Sequence, residues 1–186
     1  MKDDIRKRIR AERRNLDSGF INKTGSKILE NLMVLGIDDV KRVMAYIPIE
    51  NEINVTLILD MFLKTGREVY VPCLDEADKI HPCRLKDMNS LIEGKYNVPE
   101  PAGALPGNED TFDIILVPGV AFDLKGNRLG YGKGCYDGFL KKSSGIRIGV
   151  CYDFQLIKEG IPNEPHDERV DFILTEKGIY EVNHAI

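Results

Sequence analysis

Three short strand-like runs in this chain each stop at a proline: Val43 to Ile47 before Pro48, Arg67 to Val71 before Pro72, and Phe112 to Val117 before Pro118. Between the first two lies a segment of helical periodicity, Val55 to Lys64, which Asn54 can cap and Gly66 can close. Strand, loop, helix, strand at this spacing predicts parallel strands joined by a crossover helix. Two helices precede them. Met1 to Leu16 carries Ile5, Ile9 and Leu16 on one stripe, and a second helix runs from Asp17 or Ser18 to about Leu35, with Ile21, Ile28, Leu32 and Leu35 inward and Gly36 beyond it. Later in the chain the pattern predicts a helix over Cys135–Lys142, a strand over Ile146–Cys151, a short helix near Asp153–Glu159 and a last strand over Asp171–Leu174. With 186 residues the chain is long enough to bury its own core, and the expected organisation is one compact α/β domain over 1–186 with a basic helix at its N-terminus.

The segment Pro118–Leu140, PGVAFDLKGNRLGYGKGCYDGFL, is where chemistry is expected. It holds Gly126, Gly130, Gly132 and Gly134, with Arg128 and Lys133 among them. Glycines at alternate positions let backbone N–H groups converge without Cβ obstruction, and a helix start follows, so the loop is suited to an anion such as phosphate. Arg128 and Lys133 add full charges to those partial ones. Neither common phosphate loop fits. GxGxG begins 13 residues after the strand, too late and too short for a dinucleotide fingerprint, and Gly132-Lys133 is followed by Gly134 rather than Ser or Thr. Read on its own, GxGxG is as compatible with a solvated surface loop. The stripe Lys2, Arg6, Arg10 and Arg13 on the first helix reads, on pattern alone, as a solvated charged face.

The whole string is more specific than its parts. Pro118 to Asp123 followed by Gly126 to Asp137 resembles the signature of the 5-formyltetrahydrofolate cyclo-ligases, with Cys135 where an aromatic is usual and Gly138 where arginine or a small residue is common. Three weaker matches follow in the right order: Lys2 and Arg6 with Ile5 between them, Glu52-Ile53 after an early strand, and Asp167 to Asp171 before a late one; Pro99-Glu100-Pro101 matches a further step. The resemblance implies a compact α/β fold with a mixed or mainly parallel sheet flanked by helices. It implies the ATP-dependent conversion of 5-formyltetrahydrofolate to the 5,10-methenyl form, giving ADP and phosphate, with magnesium. ATP would meet Lys2, Arg6 and the run Arg128, Leu129, Gly130, Tyr131, Gly132, Lys133, Gly134, Cys135 and Tyr136. The reduced folate would meet Ile47, Glu52, Tyr131, Gly132, Lys133, Gly134 and Cys135. Arg128 and Lys133 would act on the transferring phosphoryl group, and Asp137 with Asp167 would hold the metal.

Composition limits the other classes. The formal net charge of -4 gives no basic field for nucleic acid, and no apolar run approaches bilayer length. The charged N-terminus lacks the apolar core of a signal peptide. Cys73, Cys83, Cys135 and Cys151 form no CxxC pair, and His81, His166 and His184 give no zinc spacing, so reduced thiols in the cytoplasm are expected. The expected assembly is a monomer or weak homo-oligomer. Tyr96 reads as a core filler sooner than as a stacking residue. A sugar-phosphate isomerase or acyl-carrier transferase on a similar sheet, and a non-catalytic nucleotide- or nucleic-acid-binding relative using the basic helix, remain open alternatives at this level.

Overall fold

The computed structural model of the chain describes residues 1–103, 107 and 110–182. Part of the Pro-rich stretch and His184 therefore lie outside the described residues. Helices α1 (Lys2–Arg14) and α2 (Ser18–Met33) lead into β1 (Arg42–Met44), α3 (Thr56–Lys64) and β2 (Glu68–Leu74). Next come β3 (Ile80–Leu85), β4 (Leu91–Glu93), β5 (Pro99–Pro101), β6 (Thr111–Pro118), β7 (Ala121–Phe122) and β8 (Arg128–Leu129). The chain then forms α4 (Cys135–Leu140), β9 (Ser144–Val150), β10 (Phe172–Thr175) and β11 (Gly178–Glu181). Among the described residues one seven-stranded sheet runs in the order β11-β10-β9-β6-β1-β2-β3. Its five inner strands pair in parallel, and β3 and β11 are antiparallel edges, so the sheet is mixed.

The local signals explain most elements. Asp17 caps α2 by accepting the Phe20 N–H at 2.9 Å, and Asn54 accepts the Thr56 N–H at 3.0 Å beside the start of α3. β2 and most of β6 are buried on both faces, as parallel strands covered by helices must be, and β9 is buried in its second half. On one side Ile28, Leu32, Ile58, Leu59 and Phe62 of α2 and α3 pack on Val43, Val69 and Leu116 of the sheet. On the other, Phe139 and Leu140 of α4 pack with Met44, Ile115 and Val117.

Four expectations are corrected. Pro72 does not stop β2, because it lies opposite Pro82 in β3; neither residue supplies an N–H, so the pair fits only a position that needs none. The strand at Phe172 is not the last, since β11 returns beside it after a tight turn. The helix near Asp153–Glu159 is one short 3₁₀ turn, Asp153–Gln155. Cys73 and Cys83 are joined as a disulfide across β2 and β3, leaving Cys135 and Cys151 as the free thiols.

Candidate functional site

The sheet order creates the site. From β1 the chain moves outward to β2, then returns to the other side of β1 with β6 and continues through β9 and β10. Open α/β sheets bind ligands at such a reversal, beyond the carboxyl ends of the strands. Here those ends are Tyr46–Glu52 after β1 and the segment from Gly119 after β6. Between them lies a cavity of about 690 Å³. Every residue that the sequence singled out for ATP, folate or metal lines it: Lys2, Arg6, Ile47, Glu52, Arg128 to Asp137, and Asp167.

The Gly-rich segment reaches the cavity by way of a stapled hairpin. β7 and β8 pair antiparallel, and the turn between them closes on the buried Asp123 carboxylate. Asp123 accepts the N–H groups of Lys125, Asn127 and Ile161 and the side-chain amide of Asn127, all within 3.0 Å. Gly126 has φ +80°, and a Cβ there would lie 2.5 Å from the Val170 carbonyl, so only glycine fits this turn. At Gly130 the constraint is close approach, because a Cβ would stand 2.7 Å from Arg128 Nη1. Arg128 is thus folded beneath its own loop. It is nearly buried, donates from Nη2 to Asp137 Oδ1 at 2.9 Å and lies over the Tyr136 ring. Lys133, half-exposed, stands 3.1 Å above the Tyr96 ring and 3.8 Å from Asp78.

Helix α1 closes the cavity's opposite wall. Arg6 donates from Nε to the Gly130 carbonyl at 2.9 Å and from Nη1 to Asp3. Lys2 pairs with Glu164 at 2.8 Å and with Asp167 at 3.1 Å. The Glu164 hydrogen bond, working against burial, raises the Lys2 pKa, with Asp167 adding to the effect. Burial pushes the Asp167 carboxyl up, but the Glu164 N–H and Lys2 outweigh it and its pKa is lowered. The basic stripe is therefore not a solvated face. Helix α4 has only six residues, so the positive charge at this end of the cavity comes from the side chains of Lys2, Arg6, Arg128 and Lys133, each paired with a carboxylate of the chain, rather than from a long helix dipole.

At the other end stands Glu52, 6% exposed. Its Oε1 accepts the Tyr131 hydroxyl at 2.8 Å and its Oε2 the Ile49 N–H at 3.1 Å. Burial raises its pKa, opposed first by the charge of Arg13. Ile47 is buried beside it in the cavity wall. Cys135 is a poor nucleophile here, since burial and then the Asp78 charge push its thiol pKa up.

Asp137 and Asp167 both line the cavity; Asp137 Oδ1 accepts Arg128 Nη2 at 2.9 Å and the Glu168 N–H at 3.3 Å, and Asp167 is paired with Lys2. Among the described residues no cluster of three His, Cys, Asp or Glu could cage a metal. Two hard carboxylates fit magnesium, which commonly takes one or two protein oxygens and completes its shell with phosphates and water.

Two features escaped the sequence reading. Tyr96 is no core filler: it is half exposed, lines the cavity, and its hydroxyl donates to Asp78 at 2.8 Å. Arg13 is the other. Far from a solvated face, it is 1% exposed and bonded to Tyr131 and to the loop that carries Glu52. Its position one helical step beyond Arg10, on the stripe of Lys2 and Arg6, was the available signal.

Residues 1–176 match the model of the 5-formyltetrahydrofolate cyclo-ligase family. The chain is similar to the 5-formyltetrahydrofolate cyclo-ligase of Mycolicibacterium smegmatis, 33% identical over 145 residues that cover 74% of each chain. It is 29% identical to that of Mycoplasma genitalium over 178 residues, 93% of this chain and 96% of the relative. Its fold matches the NMR structure of Aquifex aeolicus 5,10-methenyltetrahydrofolate synthetase with a TM-score of 0.87 and 33% identity, covering 100% of this chain and 94% of the other.

Proposed function

The chain belongs to the 5-formyltetrahydrofolate cyclo-ligase family, and on that premise we propose that it uses ATP to close 5-formyltetrahydrofolate to 5,10-methenyltetrahydrofolate, releasing ADP and phosphate. The observation that carries this reading is the division of one cavity into a basic end, with Lys2, Arg6, Arg128 and Lys133, and a buried carboxylate end at Glu52.

That division suits the chemistry. A formyl oxygen is a poor leaving group. Attack of this oxygen on the γ-phosphorus expels ADP and turns later loss of oxygen into loss of phosphate. The neighbouring folate amine then adds to the activated carbon, gives up its proton, and phosphate departs as the five-membered ring closes. Phosphoryl transfer of this kind needs little covalent help; it needs the reacting oxygen in line and spreading charge neutralised. Lys133 is free to turn toward the phosphates, because its present partners are a long ion pair and an aromatic face. Arg128 supplies a fixed charge under the loop, and Arg6 and Lys2 supply two more from α1. Glu52 and Ile47 orient the folate at the far end. Magnesium, held by Asp137 and Asp167, would supply charge neutralisation on the phosphate oxygens.

The test is an omission series. Methenyl product, followed by its near-ultraviolet absorbance, should require the formyl-folate, ATP and a divalent cation together; purified folded protein that makes none with all three present contradicts the reading. In the same assay Asp137→Asn should need about tenfold more magnesium for half-maximal rate, since asparagine keeps an oxygen but removes the charge that offsets a dication. Magnesium and ATP together should also protect the variant less against thermal unfolding than they protect the wild type. An unchanged magnesium curve would leave Asp137 as the partner of Arg128 alone.

A further inference from the structure

Unlike Lys2 and Arg6, Arg13 is not among the residues that line the cavity. Its guanidinium turns away from the basic end and into the loop after β1. Nε and Nη2 donate to the Glu50 carbonyl at 3.1 and 2.7 Å, and Nη2 also reaches the Ile49 carbonyl at 3.2 Å. The same Nη2 donates to the Tyr131 hydroxyl at 2.9 Å, and that hydroxyl donates to Glu52 Oε1 at 2.8 Å. The contact is reciprocal, for Asn51 Nδ2 donates to the Arg13 carbonyl at 3.0 Å. The loop is costly to hold, since Glu50 and Asn51 both have positive φ, 47° and 56°, without being glycine. Such conformations persist where the surroundings over-determine them. Here the surroundings are an arginine that collects the carbonyls the loop turns inward. Nη1 is buried and has no hydrogen-bond partner among the described residues, so the charge is not kept buried for full hydrogen bonding alone.

We propose that Arg13 is a positioning residue for the reaction: acting through the Tyr131 hydroxyl and the Ile49–Asn51 backbone, it fixes the Glu52 carboxylate that orients the folate. This rests on the cyclo-ligase reading of the cavity. The electrostatics agree with the geometry. Facing Glu52 are the hydroxyls of Tyr46, Tyr131, Tyr136 and Tyr152, the Glu50 carboxylate, itself paired with Arg10, and the Arg13 guanidinium. Burial, the largest influence, favours the neutral acid at Glu52; the Arg13 charge is the strongest opposing one. α1 would then serve both ends of the cavity, its first turns facing the anion end and its last turn the carboxylate.

Arg13→Met, Arg13→Lys and Tyr131→Phe test this. Two readouts are taken on each: steady-state formation of methenyl product against pH, and the titration of the Glu52 side-chain carboxyl followed by carbon-13 NMR in ligand-free protein. Arg13→Met should raise the folate KM about tenfold, the scale of a lost charge-assisted hydrogen bond, with the ATP KM within about twofold. The acid limb of kcat/KM and the Glu52 titration should both move up by about one pH unit. Arg13→Lys keeps the charge but not the fork, so it should restore the titration and only part of the folate KM. Tyr131→Phe leaves Arg13 anchored on the loop carbonyls and should shift both readouts the same way by less, which keeps the proposal testable if Arg13→Met does not fold. A Glu52 titration unmoved in Tyr131→Phe, or an ATP KM that rises as much as the folate KM in Arg13→Lys, would overturn it. Failure of the cyclo-ligase reading looks different: wild-type protein makes no methenyl product, while the Glu52 titration still moves in the variants.

Discussion

Replacing Lys133 with methionine should lower turnover on the order of 100- to 1,000-fold, the usual cost of removing one charged group aimed at developing transition-state charge, and should leave the fold intact. The two halves of this expectation have separate grounds. Lys133 is half exposed, and its partners are Asp78 at 3.8 Å and the face of Tyr96. Exposed ion pairs contribute roughly 0–1 kcal/mol, so circular dichroism and the midpoint of thermal unfolding should stay close to wild type. Methionine keeps the length and most of the apolar stem. What it loses is the mobile charge of the Gly-rich loop. Asp78 does not need Lys133 to stay in place, because Lys95 and the Tyr96 hydroxyl already hold it. Kinetics that overlay wild type would reduce Lys133 to the surface partner of Asp78.

Glu52→Gln should separate activity from stability in opposite directions. On the activity side, the variant keeps size and one oxygen acceptor and loses the charge. kcat/KM for the folate should fall about 100-fold, equivalent to roughly 2.7 kcal/mol of transition-state binding, while the ATP KM stays within about twofold. On the stability side, the folded pKa of Glu52 is raised above its ordinary value, chiefly by burial. The native state therefore binds this proton more tightly than the unfolded chain does. Stability contributed at this site is highest below the unfolded value, about 4.3, and is lost as pH rises through the raised folded value. At neutral pH the buried carboxylate is thus a net cost, tolerated for function, and the neutral glutamine should unfold at a temperature equal to or above wild type. A variant that loses ATP affinity and keeps folate affinity would reverse the assignment of the two ends. A variant that melts well below wild type would mean that Tyr131 and Ile49 depend on the charge more than burial opposes it.

Much of the fold was legible because it is written in short-range terms. The apolar runs at Val43, Arg67 and Phe112 and the capped segment after Asn54 describe a crossover unit without reference to anything distant, although β2 and β6 take in the prolines that the sequence offers as their stops. The same is true of the loop from Gly126 to Gly134, whose turn residues and buried staple, Asp123, lie within a few positions of one another. Lys2 and Arg6 were legible as a pair, since residues four apart share a helix face. What stayed hidden depends on distant partners. Arg13 looks like its exposed neighbours until the loop 37 positions away is folded over it. Cys73 and Cys83 show no motif, and only antiparallel pairing of β2 with β3 brings them together. Tyr96 sits in a segment with no period of either kind, and it and Asn97 adopt positive φ without glycine, which local propensity does not suggest. β11 is four residues long and its return is set by the turn before Gly178, so a search for long apolar runs passes over it.

If the cavity brings the formyl oxygen to the γ-phosphorus, as proposed, this oxygen leaves as part of phosphate. Substrate carrying oxygen-18 in the formyl group, converted with unlabelled ATP in ordinary water, tests it directly by mass analysis of the inorganic phosphate. One oxygen-18 atom is expected in each phosphate formed with each methenyl product. Methenyl product accompanied by unlabelled phosphate, with the label in water, would contradict the proposed transfer.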